Sequence, residues 1–140
     1  MARTASRSAE TAHELRTVLG RLTRRLRSEG TLPLQQGSVL GRLEREGPHT
    51  TSALAAVERV RPQSMAQTIA DLERDGLVVR RPDPHDRRQL LLELTDAGRG
   101  ALDGERRSRE GWLARAIEET LDADERATLM RAVEILRRLT

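Results

Sequence analysis

Two adjacent arginines, Arg87 and Arg88, lie in a short polar stretch between two apolar segments. Guanidinium groups bind phosphate oxygens, and they also bind in the narrow minor groove of A·T-rich duplex DNA. Residues 82–88 include two prolines and two aspartates, which favour turns. The stretch therefore predicts an exposed turn that presents two positive charges.

A predicted helix just before this turn carries side-chain amides on one face. Pro62 suits its first position, where no backbone N–H is needed. Its buried stripe consists of the apolar residues Met65, Ile69 and Leu72. At about 100° per residue, Gln63 and Gln67 then lie on the opposite face. Amides there either read adenine edges in a major groove or are ordinary exposed glutamines.

The helix and the turn belong to a winged helix-turn-helix pattern. Gly76 ends the helix, and residues 77–81 and 89–94 are apolar enough for the two strands of a hairpin. Residues 51–58 predict a shorter preceding helix, with Thr51 as its N-cap. A helix with a polar outer face, followed by an arginine-tipped hairpin, fits duplex DNA with the helix in the major groove.

We predict contacts with double-stranded DNA from both parts of this pattern. On the recognition helix, the predicted contact residues are Arg61, Pro62, Gln63, Ser64, Ala66, Gln67 and Arg74. On the wing, they are Arg80, Asp86, Arg87 and Arg88. Phosphate repels Asp71, so we expect this residue to orient Arg74, which follows it at helical spacing.

The remaining helices carry apolar stripes that a winged helix alone does not need. We expect a disordered arm (residues 1–8), a winged helix-turn-helix domain (31–95), a linking long helix (96–110) and a helical dimerisation region (9–30 and 111–140). A second copy of the chain would cover the stripes in a two-fold homodimer. The predicted fold class is therefore mainly α with a small β-hairpin wing.

The composition excludes several classes of protein. The 140 residues contain no cysteine, so the chain has no thiolate metal site. Trp112 is the only aromatic residue, which argues against binding single strands by base stacking. Arginine supplies all 25 basic side chains, and the formal net charge is +3. Residues 59–88 carry seven arginines and five acidic residues, whereas the acidic residues are in excess after residue 88.

No enzyme activity, cofactor, metal or membrane association is expected. The sequence lacks a nucleophile motif of the G-x-S-x-G type and a phosphate-binding glycine loop. Asp83, His85 and Asp86 are too few, on a flexible turn, to predict a metal site. No apolar run approaches the ~20 residues that span a bilayer, and the N-terminus lacks an apolar signal region. We therefore expect a cytoplasmic protein.

The motifs resemble those of the MarR (multiple antibiotic resistance regulator) family of bacterial transcription factors, over about residues 10–140. The most specific match is Asp83-Pro84-x-Asp86-Arg87-Arg88 followed by Leu94-Thr95-x-x-Gly98. The resemblance implies that Arg88 enters the minor groove and that Asp86 holds its guanidinium. It also implies a homodimer formed through the first and last helices, and release of many members from DNA by small phenolic or lipophilic effectors.

His13 and Trp112 are candidates for an effector pocket; the plainer alternative is a surface histidine and a core or interface tryptophan. The predicted function is a ligand-responsive repressor that binds a palindromic operator as a homodimer. The alternatives are a constitutive repressor without an effector and a helical adaptor that does not bind DNA. The absence of cysteine excludes the peroxide-sensing members of the family. Arg61 replaces the small polar residue usual in the family, so no sequence preference carries over.

Overall fold

The computed structural model describes residues 2–140, with side chains from Arg7 onward. Within this range the chain forms six α-helices and one antiparallel hairpin, which confirms the predicted fold class. The helices are α1 (Ala2–Ser28), α2 (Leu34–Glu46), α3 (Thr51–Glu58), α4 (Pro62–Arg74), α5 (Asp96–Thr120) and α6 (Ala123–Leu136). The strands are β1 (Val78–Pro82) and β2 (Leu90–Leu94), and a 3₁₀ turn (Arg137–Leu139) follows α6. None of the described helices combines the length and apolar character that a membrane span requires.

The chain divides into two compact units. The central unit comprises Gly30–Ser108, with α2, α3, α4, the hairpin and the first half of α5. The terminal unit comprises the residues up to Glu29 together with Arg109–Thr140, and so contains α1, the second half of α5, and α6. The part that the terminal unit plays in dimerisation remains a prediction.

The core of the central unit is aliphatic. The fully buried side chains are Val39, Leu40, Leu54, Met65, Ile69, Leu72 and Leu92. Each side chain of this size contributes about 1.5–3 kcal/mol on burial. The predicted stripe of α4 is therefore confirmed as the face that packs on the core, and the opposite face of α4 is left outward.

The passage from α4 into the hairpin depends on a glycine. Gly76 has a φ of 71°, a left-handed conformation that side chains with a Cβ disfavour. The backbone N–H of Leu77 then donates to the carbonyl of Leu72 at 2.9 Å. Because this bond still belongs to the helix end, β1 begins at Val78, one residue later than predicted. Val78 pairs with Leu94 at the base of the hairpin.

Two further local features differ from the sequence predictions, and β2 begins at Leu90, one residue later than predicted. The N-cap of α3 is Thr50 and not Thr51, because the backbone of Thr50 is extended and its hydroxyl accepts a hydrogen bond from the N–H of Ala53 at 3.1 Å. Residues 2–8 belong to helix α1, where a disordered arm was expected. Alanine and arginine in this segment are strong helix formers, which favours its continuation. Met1 lies outside the described residues.

Side chains cap the starts of the last two helices. The hydroxyl of Thr95 accepts a hydrogen bond from the N–H of Gly98 at 3.0 Å at the start of α5. Asp122 and Glu125 form a reciprocal capping box at the start of α6. One pairing was not predicted: His49 forms an isolated antiparallel bridge with Leu92, which joins the α2–α3 turn to the hairpin.

Candidate nucleic-acid interface

The outward face of α4 is polar and open. Gln63, Ser64, Ala66 and Gln67 are all exposed, and Pro62 occupies the first turn of the helix. The side chain of Arg61 makes no capping hydrogen bond at the helix start and is exposed. The hydroxyl of Thr68 donates a hydrogen bond to the backbone carbonyl of Ser64 at 3.0 Å. This face therefore offers amides, a hydroxyl and a guanidinium to a ligand.

Asp71 contacts two of the predicted DNA-contact residues, Gln67 and Arg74. Its Oδ1 accepts a hydrogen bond from Nε2 of Gln67 at 3.1 Å. The same oxygen lies 3.0 Å from Nη1 of Arg74. The expected pairing of Asp71 with Arg74 is therefore present. The bond to Gln67 was missed, although the i, i+4 spacing of the two residues was a usable signal.

The wing tip is built around Asp86. Its carboxylate accepts hydrogen bonds from the backbone N–H of Arg88 at 3.2 Å and from Nε of Arg88 at 3.1 Å. Hydrogen bonds from the Arg88 side chain and backbone hold the pKa of Asp86 below its usual value. Although its Nε is held, the Arg88 side chain is 92% exposed. The tip therefore presents a guanidinium that is anchored on one edge and open on the others.

The turn itself is closed by backbone hydrogen bonds. The N–H of Asp83 donates to the carbonyl of Gln89 at 3.0 Å, and the N–H of Gln89 donates to the carbonyl of Asp86 at 2.9 Å. The carboxylate of Asp83 accepts the N–H of His85 at 2.8 Å. The carboxylates of Asp83 and Asp86 thus stabilise the turn by accepting backbone N–H groups within it. Among the described residues, no group of three or more histidines and carboxylates could hold a metal ion.

The other wing arginines differ in their pairing. Nε of Arg80 lies 2.7 Å from Oε1 of Glu73 on α4, and Nε of Arg81 lies 3.1 Å from Oε2 of Glu93 across the hairpin. Arg87 is exposed. Because Arg80 is already paired with a carboxylate, it attracts phosphate less than an unpaired guanidinium would.

A second ion pair braces the helix-turn-helix. Nε of Arg42 on α2 lies 2.6 Å from Oε1 of Glu58 at the end of α3. Burial would raise the pKa of Glu58, but hydrogen bonds from Ser38 and Arg42 outweigh it and lower the pKa. The pair fixes α3 against α2 inside the central unit. The sequence offered no local signal for this contact, since its partners are 16 residues apart.

The two residues proposed for an effector pocket lie in the terminal unit. His13 is exposed on α1, and Trp112 is half-buried on α5. The guanidinium of Arg25 lies 5.1 Å from the centroid of the Trp112 ring, a cation–π contact. The observed partner of Trp112 is therefore a side chain of its own unit.

Comparisons with known proteins identify the family. The model of the MarR family matches residues 32–90. An HTH-type transcriptional regulator of Mycobacterium tuberculosis is 39% identical over 131 residues, which are 91% of each chain. A crystal structure of a protein from Pseudomonas aeruginosa, assigned as a transcriptional regulator, has a TM-score of 0.74 at 41% identity and covers 95% of both chains.

A more distant structure shares the fold alone. It is a mutant of Staphylococcus aureus MepR solved with an oligodeoxyribonucleotide, with a TM-score of 0.66 at 18% identity over 93% of this chain and 98% of that one.

MarR-family transcriptional regulators are not enzymes, which agrees with the prediction of a non-enzymatic protein. Sequence identity over nearly the whole length, the family model and the winged helix-turn-helix fold agree: the chain belongs to the MarR family of transcriptional regulators.

Proposed function

We propose that this protein is a sequence-specific, double-stranded DNA-binding repressor that acts as a homodimer on a palindromic operator. The observation that carries the proposal is the wing tip, where Asp86 holds an Arg88 side chain that remains 92% exposed. The exposed part of this guanidinium is accessible to a ligand while Asp86 holds its Nε. A guanidinium presented in this way suits the minor groove, where narrow A·T-rich segments concentrate negative potential.

The recognition helix supports the same assignment. The exposed face of α4 carries Gln63 and Gln67, whose amides can pair with adenine edges in the major groove. Both features belong to the central unit, so one compact unit would carry the major-groove and minor-groove contacts. The MepR mutant with the same fold was solved with an oligodeoxyribonucleotide, which favours a nucleic-acid ligand for this module. We propose a cytoplasmic location, because that is where a DNA-binding regulator meets the bacterial chromosome.

The homodimer is proposed from the apolar surface of the terminal unit. Several large hydrophobic side chains there are exposed in the single chain, namely Val18, Leu19, Leu129, Met130, Val133, Ile135 and Leu139. Exposed apolar side chains in this number favour association, and a second copy of the chain is the economical partner. A two-fold dimer would place its recognition helices about 34–36 Å apart, in successive major grooves.

The response to a ligand is proposed from the family resemblance. The candidate effectors are small phenolic or lipophilic molecules, and the half-buried Trp112 is the aromatic residue that could contact them. Thermal-shift screening of phenols and lipophilic carboxylates would test this part. A ligand that raises the melting temperature and weakens DNA binding supports it. If none does both, the protein is a constitutive repressor.

The DNA-binding proposal is tested by selecting duplexes from a randomised pool with the full-length protein and measuring binding by fluorescence anisotropy. We expect the selected duplexes to share two inverted half-sites. Binding should weaken with salt, with a slope of about −0.9 per neutralised phosphate in a plot of log K against log salt concentration. A protein that enriches no duplex and shows no salt-dependent binding would instead be the helical adaptor.

A further inference from the structure

We propose that Asp71 is a positioning residue for DNA recognition, which holds the amide of Gln67 in the orientation that reads a base. The inference rests on the proposed function, because it requires α4 to enter a major groove. The observation behind it is a single carboxylate oxygen, Oδ1 of Asp71, shared by Nε2 of Gln67 at 3.1 Å and Nη1 of Arg74 at 3.0 Å.

A carboxylate on this face of α4 requires an explanation. Asp71 stands on the face that bears Gln67 and Arg74, where it would lie close to DNA phosphates and repel them. Its side chain is 26% exposed, whereas that of Arg74 is 68% exposed. The plain explanation is a surface pair that stabilises the helix slightly, as residues at i, i+3 and i, i+4 spacing do. The two explanations predict different effects on DNA binding.

The bond to Asp71 determines which way the Gln67 amide points. An ionised carboxylate can only accept hydrogen bonds, so the nitrogen of the amide must face Asp71. The amide oxygen and the second N–H are then directed away from Asp71. An acceptor and a donor side by side are what an adenine edge pairs with in the major groove. Asp71 thus removes the alternative, flipped orientation before DNA arrives.

Asp71 also restrains Arg74, one turn further along α4. Nη1 of Arg74 lies 3.0 Å from Asp71 and its Nε lies 3.7 Å from Oδ1 of Asp75, so the second terminal nitrogen, Nη2, is the group left for a phosphate. Asp71 therefore orders the side chains of both Gln67 and Arg74 in the free protein. Their conformational entropy is lost when the chain folds, so less of it is lost when DNA binds. Gln63 lies one turn before Gln67 and has no such restraint from Asp71 among the described contacts. We expect Gln63 to contribute less to base discrimination than Gln67.

The proposal predicts opposite effects on affinity and on specificity. Removing the negative charge of Asp71 should strengthen binding to any duplex, since one phosphate repulsion is lost. Releasing Gln67 should lower the preference for the selected duplex. If Asp71 only stabilises the helix, its substitution should leave this preference unchanged. If Asp71 acts only as a repulsive charge, its substitution should raise the affinities for both duplexes by the same factor.

The experiment compares Asp71→Ala and Asp71→Asn with the wild type on a duplex selected by the wild-type protein and on a scrambled duplex, at fixed salt. We expect Asp71→Ala to bind the scrambled duplex at least as tightly as the wild type, while the ratio of the two affinities falls about tenfold. Asp71→Asn loses the same charge, and its amide can either accept from or donate to the amide of Gln67. It should therefore retain only part of the preference, between that of Asp71→Ala and that of the wild type.

A double-mutant cycle separates this inference from its alternatives. In a Gln67→Ala background, Asp71→Ala should have little further effect on the affinity ratio, because the side chain that it positions is absent. If Asp71→Ala and Asp71→Asn raise both affinities equally, Asp71 is only a repulsive charge and the inference is wrong, while the proposed function stands. If the wild-type protein itself does not prefer the selected duplex, the proposed function is wrong.

Discussion

The carboxylate of Glu105 accepts hydrogen bonds from both the backbone N–H and the hydroxyl of Thr31, at 2.6 and 3.0 Å. It also accepts the N–H of Leu32 at 3.0 Å, and the residue is only 2% exposed. A Cβ atom on Gly30 would lie 2.0 Å from Oε1 of Glu105, so the contact requires a glycine there. Glu105 therefore fastens the segment between α1 and α2 to α5.

Glu105→Ala should destabilise the protein by about 2–3 kcal/mol, because two part-buried backbone N–H groups and the hydroxyl of Thr31 lose their acceptor. Glu105→Gln should cost less, since its amide oxygen can still accept. Glu110→Ala, at an exposed position of the same helix, is the matched control. Urea unfolding followed by circular dichroism measures the difference. Equal stability of Glu105→Ala and the control would contradict this account of the contact.

Gly98→Ala should also destabilise the fold, by about 1–3 kcal/mol, as overpacking does. A Cβ atom at this position would lie 2.1 Å from the carbonyl oxygen of Leu77, a backbone atom that has little freedom to move. Gly100 on the same helix has open space around its Cβ position. Gly100→Ala should therefore stabilise the helix slightly, by about 0.5–1 kcal/mol.

The two substitutions should change the thermal unfolding midpoint in opposite directions. A fall in the midpoint for both would mean that helix α5 tolerates no side chain at either position. A rise for both would mean that α5 and the Leu77 carbonyl are not packed as described.

Acid should lower the free energy of unfolding over a defined range of pH. Hydrogen bonds to Ser38 and Arg42 outweigh burial and lower the pKa of Glu58 below the ordinary 4.5. The folded state therefore binds this proton less readily than the unfolded state, so the contribution of Glu58 is complete above about pH 4.5 and is lost as the pH falls through the lower, folded pKa. The hydrogen bonds of Arg88 to Asp86 act in the same direction.

Urea titrations between about pH 3 and pH 7 would measure this dependence. Glu58→Gln should be less stable than the wild type at neutral pH, and its stability should fall less steeply in acid. Glu118→Gln, an exposed glutamate of α5, serves as the control. If the stability of Glu58→Gln falls as steeply as that of the wild type, Glu58 does not contribute as described.

The dimer is tested at a residue that the single chain leaves exposed. The side chain of Ile135 is 58% exposed, so a charge there should not disturb the fold of the monomer. In the proposed homodimer the charge would be buried without a partner, and Ile135→Asp should dissociate it. Glu134→Gln, at the neighbouring exposed position, should leave the assembly unchanged. Sedimentation of a wild-type monomer at micromolar concentration would contradict the proposal.

Local sequence patterns predicted most of the elements of the central unit. The apolar spacing of Met65, Ile69 and Leu72 placed the buried stripe of α4, and Gly76 placed its end, because both signals act within a few residues. The N-cap of α3 was misplaced by one residue, since Thr50, Thr51 and Ser52 are all capable of capping. Only the extended backbone of Thr50 decides among them.

Local sequence patterns could not predict contacts between residues that lie far apart in the chain. The bridge of His49 to Leu92 and the burial of Glu105 depend on which segments the fold brings together. For the candidate interface, the motif placed Asp86 and Arg88 together, and the structure shows their hydrogen bonds. The pairing of Arg80 with Glu73 was not anticipated, because it joins the hairpin to α4.

The most direct test of DNA reading by the wing is a salt-controlled binding isotherm of Arg88→Ala on the selected and scrambled duplexes. The substitution should weaken binding to the selected duplex by roughly 1–3 kcal/mol per site and relax the preference at the flanking positions. Arg107→Ala, an exposed arginine of α5, should have a much smaller effect. Equal weakening on both duplexes would make the wing a phosphate clamp, and unchanged binding to both would contradict the proposed role of Arg88.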